Sequence, residues 1–171
     1  MIKILCLLIS FSWLTTTVYE FSVNTIEGNT ISLSQYKGKK ILFVNTASSG
    51  PYTGQYAGLE KLYQKYKDSL VIIAVPSNSF GKETGTNAAI RTFITGAYHT
   101  HFIITEKTMV YGTDQSPLYA WLTHIDQNGM MTNTINDDFY KFLVDGSGKL
   151  VGAFVSSVDP MSNEIQNAIK N

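Results

Sequence analysis

The sequence predicts an α/β protein, a mixed sheet flanked by helices with a β-hairpin at the start of the folded part. Three observations predict it. Apolar runs of strand length, "KKILFVNTA" and "SLVIIAVP", alternate with stretches whose apolar residues recur at helical spacing. Glycine-bearing turns join strand-like segments at both ends of the chain. With 44% hydrophobic and 15% charged residues, the chain has enough apolar material for one core and too little charge for a disordered segment.

Taken in order, "YEFSVNT" and "TISLSQY" flank "IEGN" and read as a hairpin. "KKILFVNTA" is apolar throughout, as in a strand covered on both faces. "GQYAGLEKLYQKYKD" places Tyr56, Leu59, Leu62, Tyr63 and Tyr66 on one helical face, with charges opposite. Its tyrosines are expected to pack in the core and at its rim. "SLVIIAVP" is a second buried strand, closed by Pro76. In the loop that follows, Ser77 and Asn78 are expected to hold the backbone by side-chain hydrogen bonds. "TNAAIRTFIT" is a helix with Thr86 as N-cap, "HFIIT" a strand, and "SPLYAWLTHI" a helix opened by Pro117. "DFYKFLVDGSGKLVGAFVSS" is a hairpin around "DGSG", and "DPMSNEIQNAIK" is a closing helix. Strands joined through helices pair in parallel, and the late hairpin makes the sheet mixed. The order is that of a thioredoxin-type α/β sandwich.

The first residues are a separate object. Lys3, the apolar run "ILCLLISFSWL" and the small residues "TTTV" have the pattern of a secretory signal peptide. The run is short for a membrane span. Cleavage is expected near Thr17, giving a leader over residues 1–17 and a folded domain over residues 18–171, exported to a periplasm or secreted. Cleavage removes Lys3 and also Cys6, the single cysteine, so the mature chain holds no thiol. The formal net charge of the whole chain is zero and no basic stripe is present, which argues against nucleic acid as a partner. No membrane association is expected after cleavage, and a monomer is the default.

Several blocks then resemble one family, the glutathione peroxidases. "LSQYKGKKILFVNTAS" is similar to the family's "LSxYKGKVVLIVNVAS", and "YTGQYAGLEKLYQKYKD" to "FTPQYxGLExLYxKYKD". "VPSNSFGKETGTNAAI" resembles "FPCNQFGGQEPGTNEEI", and "PLYAWL" and "DFYKFLVDGSGKLV" resemble "PLYxFL" and "NFTKFLVDRDGKVV". The resemblance runs from about Tyr19 to Ile169. It implies a thioredoxin fold and the reduction of peroxides by a cysteine or selenocysteine, supported by a glutamine, a tryptophan and an asparagine. Carried over position by position, Gly50 stands for the nucleophile, Ser79 for the glutamine, and Asp137 and Asp138 for the tryptophan and asparagine. Ile94 stands where some relatives keep a resolving cysteine.

A glycine cannot attack an O–O bond, and Ser48 and Ser49 are hard alcohols with no base beside them in sequence. The same resemblance puts Gly50 to Thr53 at the N-terminus of the helix bearing Tyr56, where free N–H groups can hold a small anion. Asp137 and Asp138 can bind a cation or accept a proton there. The expectation for them is a solvated strand start, where aspartate often ends a turn. His99 and His101 in "YHTHF" would share one face of a strand and are the remaining metal candidates, with two surface histidines as the expectation. No cofactor is implied. The expected function is an exported, non-catalytic binding or interaction module of this family. The alternatives are peroxide reduction by family resemblance, and a metal- or carboxylate-dependent activity of Asp137 or Asp138 with Ser79.

Overall fold

The computed structural model describes residues 16–171. All of the predicted leader except Thr16 and Thr17 therefore lies outside the described residues. The chain opens with a 3-10 turn, Val18–Glu20, and a hairpin of β1 (Ser22–Asn24) and β2 (Thr30–Ser32) in antiparallel register. A second 3-10 turn, Leu33–Tyr36, leads into β3 (Lys40–Thr46). Then come α1 (Gln55–Tyr66), β4 (Leu70–Pro76), α2 (Asn87–Tyr98) and the two-residue β5 (Ile103–Ile104). Helices α3 (Pro117–Thr123) and α4 (Ile125–Asn128), strands β6 (Lys141–Val144) and β7 (Leu150–Phe154), and helix α5 (Asn163–Lys170) complete the fold.

The main sheet runs β5-β4-β3-β6-β7. β3, β4 and β5 are parallel, and β6 and β7 are antiparallel additions. Residues alternate across β3, and each set packs into its own core. Leu42 and Val44 join Tyr56, Leu59, Leu62, Ile90, Ile94 and Ile165 beneath α1, α2 and α5. Ile41 and Phe43 join Val18, Leu33, Tyr119, Trp121 and Leu122 on the opposite face, under α3. The predicted mixed α/β sandwich and its N-terminal hairpin are both present.

The caps behave as their sequences dictate. The Thr86 hydroxyl accepts from the Ala89 N–H, and the Ser116 hydroxyl from the Tyr119 N–H with Pro117 at the helix start. Two boundaries differ from expectation. α2 continues to Tyr98 and ends on His99, whose left-handed backbone, φ 51°, closes the helix. The strand predicted over "HFIIT" shrinks to Ile103–Ile104; Thr105 still donates to the Ala74 carbonyl of β4, and the other edge of this segment meets the first hairpin. Ile26 N–H donates to the Ile104 carbonyl, Thr25 bridges Thr105, and Glu106 N–H donates to Asn24 O. At the other end of the domain the buried Trp121 indole donates to the Thr16 carbonyl at 2.8 Å.

Candidate active site

β3 and β4 lie side by side and parallel, so the loops leaving their C-terminal ends meet. These are the loop 47–54, which holds Gly50, and the loop 77–86. Glu83, only 1% exposed, straps them together. Its Oε2 accepts both the N–H and the O–H of Ser48, at 2.6 and 2.8 Å. The Ser49 hydroxyl donates to the Lys82 carbonyl, and Asn78 Oδ1 accepts the Glu83 N–H. Ser48 thus has a carboxylate partner supplied from across the sheet. Lys82 and Glu83 were missed in the sequence. The signal for them is topological: consecutive parallel strands place their following loops at one site.

Lys82 occupies the space over Gly50. A Cβ built at Gly50 would meet Lys82 Cδ at 3.0 Å, and the glycine's φ of +122° is one that residues with side chains rarely adopt. The Lys82 ammonium reaches on to Asp137 Oδ1. The hydrogen bond to Asp137 holds the Lys82 ammonium above its ordinary pKa. Both side chains are about one-third exposed or less, so the pair contributes about 0.5–1 kcal/mol. Its consequence is steric more than energetic. One hollow of about 300 Å³ lies on the Ser48, Ser49 and Phe93 side of this bridge, and another of about 240 Å³ on the Tyr52, Asn136 and Ser156 side.

Asp138 corrects the expectation of a solvated strand start. It is 2% exposed, and among the described residues neither carboxyl oxygen has a hydrogen-bond partner. Its backbone N–H donates to Asp137 Oδ1, and Phe139 follows in a left-handed conformation, φ 63°. That backbone bends back to β3, where Phe139 N–H donates to the Asn45 carbonyl. The bend turns the Asp138 side chain inward. Burial pushes its carboxyl up to about 7; the Lys82 ammonium pulls the other way, and the charges of Asp137 and Glu83 add to the rise. Among the described residues the Tyr119 hydroxyl is also buried without a partner, and the buried Tyr56 hydroxyl has only the Thr46 hydroxyl near enough to interact with. Burial holds both phenols above their ordinary pKa, with the Asp138 charge adding to each. The site therefore carries a carboxyl able to give or take a proton near neutral pH.

The remaining predicted residues fall elsewhere. Ser79 points to the loop 109–111: its hydroxyl accepts the Val110 and Tyr111 N–H groups at 3.0 and 3.2 Å, and it bonds to neither aspartate. Ser77 and Asn78 do hold their loop by side-chain bonds, as expected. Ile94 is fully buried in α2. His99 and His101 do not share a strand face, because His99 caps α2 and His101 precedes β5. His101 instead pairs through Nδ1 with Glu60 Oε1 at 2.7 Å. Among the described residues no group of three or more His, Cys, Asp or Glu side chains could hold a metal ion.

The chain is similar to known proteins in sequence and fold. The glutathione peroxidase family model matches residues 18–123. A glutathione peroxidase of Lactococcus lactis subsp. cremoris is 38% identical over 154 residues, covering 89% of this chain and 96% of that protein. A glutathione peroxidase-like peroxiredoxin of Chlamydomonas reinhardtii is 41% identical over 146 residues, covering 84% and 90%. Among solved structures, the apo form of Trgpx superposes with a TM-score of 0.69 at 34% identity, covering 91% of this chain and 94% of that one. A thioredoxin-family thiol:disulfide interchange protein of Chlorobium tepidum gives 0.63 at 14% identity over 87% and 92% of the two chains, a likeness of fold alone. The thioredoxin-like sheet, the paired loops at the ends of β3 and β4, and matches over nearly the full length of these relatives agree: the chain belongs to the glutathione peroxidase family.

Proposed function

We propose that this chain serves the peroxide-reducing, oxidative-stress role of its family, as an oxidoreductase acting on hydroperoxides. The observation that carries the reading is the full-length match to relatives named as peroxidases, at 38% and 41% identity. The residues constrain how the role can be performed. Position 50 is glycine and the folded domain has no cysteine, so a thiolate cycle at that position is closed to it. Any peroxide reduction by the domain itself draws on a different reducing group.

A second reading, an exported binding module without catalysis, is favoured by one observation. Lys82 lies across Gly50 and closes on Asp137, filling the place a nucleophile would need. The structure corrects the expected helix N-terminus, since Gly50–Thr53 lie in turns before α1 begins at Gln55. On this reading those turns hold a small anion beside Lys82, and the chain acts as a secreted or periplasmic monomer. A carboxylate-dependent activity would rest on Asp138, the buried acid of the same site.

Peroxide consumption separates the readings. The purified protein is given hydrogen peroxide or a lipid hydroperoxide, with glutathione and then thioredoxin as reductant. Turnover that survives metal chelation supports the peroxide-reducing role. A flat trace with every pair supports the binding module.

A further inference from the structure

We propose that the cleft shared by the first hairpin, the segment 105–108 and the start of α3 binds small organic amines, cations that carry an apolar body. The proposal is independent of the peroxide-reducing reading. The cleft holds about 350 Å³ and shares no lining residue with the two hollows beside Lys82. Its volume falls within the range of about 300–1,000 Å³ that small-molecule pockets occupy.

Separate stretches of the chain build it. Along "FSVN" the residues alternate: Phe21 and Val23 pack against the core on the α3 side, while Ser22 and Asn24 are exposed. Leu118 at the start of α3 and Val75 near the end of β4 add to the apolar lining. The segment 105–108 contributes Glu106, and its backbone is pinned. The Glu106 N–H donates to the Asn24 carbonyl at 2.9 Å, and the Glu106 carbonyl accepts the Thr105 and Thr108 hydroxyls at 2.9 and 3.0 Å. The cleft is thus formed before any ligand arrives, which spares the ligand the cost of ordering it.

Charge decides what the cleft takes. Glu20 and Glu106 are the only charged residues that line it. Among the described residues neither forms an ion pair. Lys107, the cation next to Glu106 in sequence, is committed elsewhere: its ammonium donates to the Gly85 carbonyl at 2.7 Å. The Glu106 carboxylate has one hydrogen bond among the described residues, a long one from Asn24 Nδ2 at 3.5 Å. An ammonium group supplies these carboxylates with the counter-charge they lack, through charge-assisted hydrogen bonds. An apolar body on the same molecule displaces water from the half-buried Phe21 and Val23. A neutral molecule of the same shape leaves both carboxylates without a counter-ion, and an anion is repelled by both.

The test titrates phenethylamine into the whole chain by calorimetry, with 2-phenylethanol and phenylacetate as its neutral and anionic counterparts and calcium chloride as a bare cation. The amine is expected to bind with a Kd of about 1 mM or tighter, and more weakly at high salt. The alcohol should bind at least about tenfold more weakly and phenylacetate not at all. Glu20→Gln and Glu106→Gln should each weaken the amine roughly three- to tenfold. Glu164→Gln, an exposed acid in the first turn of α5, should leave it unchanged. In the parent protein the amine should shift the backbone amide resonances of Val23, Glu106 and Leu118 and leave those of Gly50 and Lys82 in place, a readout that needs no variant to fold. Absence of amine binding overturns the proposal, as does equal binding of the alcohol or an equal loss in Glu164→Gln. Amide shifts confined to the Lys82 loops overturn it too, and calcium bound in place of the amine marks a metal site instead.

Discussion

Replacing Asp138 by asparagine should stabilise the protein at alkaline pH and leave it nearly unchanged in acid. Asparagine is a neutral isostere, so the variant keeps the shape and the unpaired oxygen and removes only the charge. The carboxyl stands at about 7 in the folded protein against an ordinary 3.8. At 1.36 kcal/mol per pKa unit that gap sets a ceiling of about 4 kcal/mol. The sign follows from proton counting. Below about pH 4 both the folded and unfolded chains hold the proton, and the charge costs nothing. Between about pH 4 and 7 the unfolded chain loses it while the folded chain keeps it, so the parent loses stability as pH rises. Above about pH 7 the whole cost is present. Urea unfolding of parent and variant at about pH 4.5 and pH 8 reads this directly. With a slope of about 2 kcal/mol per molar urea, the variant's midpoint should lie up to about 2 M higher at pH 8 and close to the parent's at pH 4.5. A midpoint difference that is the same at both pH values would refute the reasoning.

Lys141 gives the opposite slope in the adjoining window. It is fully buried, donates to the Phe139 and Ser156 carbonyls, and is pushed down to about 7 by burial. Its charge costs stability below about pH 7, and the cost fades as pH climbs toward 10.5. The parent should therefore gain on Lys141→Met between about pH 7 and pH 10, measured by the same unfolding. Gly50→Cys should destabilise by about 1–3 kcal/mol, because the φ of +122° is strained for any side chain and Lys82 must move. It should also restore little peroxide turnover, since the three supporting positions differ too; turnover matching that of an active relative would contradict this. Gly148→Ala should cost about 2–4 kcal/mol in thermal or urea unfolding. Its Cβ would fall 2.6 Å from Tyr19 Cε2 at a φ of +87°.

The local parts of the fold were legible in the sequence, and the site's long-range contacts were not. Thr86 and Ser116 cap helices by bonds to backbone three residues away, so the motif contains its own partners. β3 and β4 announce themselves as unbroken apolar runs because both of their faces are covered. The "HFIIT" run carries the same composition, yet only Ile103 and Ile104 form a strand, with β4 on one edge and the first hairpin on the other, contacts that lie far away in sequence. Asp138 reads as a solvated turn residue because its burial depends on the left-handed turn at Phe139, a conformation few phenylalanines adopt. The Lys82–Asp137 bridge joins residues 55 positions apart, and nothing local to either marks the other. Lys141 sits in a strand among apolar neighbours; one of its carbonyl partners, Phe139, is two residues away, but the other, Ser156, meets it only once β6, β7 and the following loop have assembled.

The bond from Trp121 to the Thr16 carbonyl ties the start of the described chain to the core, and so constrains where the expected leader could be removed. The indole N–H belongs to a side chain only 1% exposed, deep in the core under α3. Removing residue 16 would strand that donor without an acceptor, at a cost of about 1–3 kcal/mol. A cut on the amino side of Thr16 keeps the acceptor and also the 3-10 turn at Val18, whose N–H is held by the Gly148 carbonyl. Were the expected leader removed, an N-terminus at Thr16 or earlier would keep the Trp121 indole bonded, and one at Val18 would leave a weaker protein.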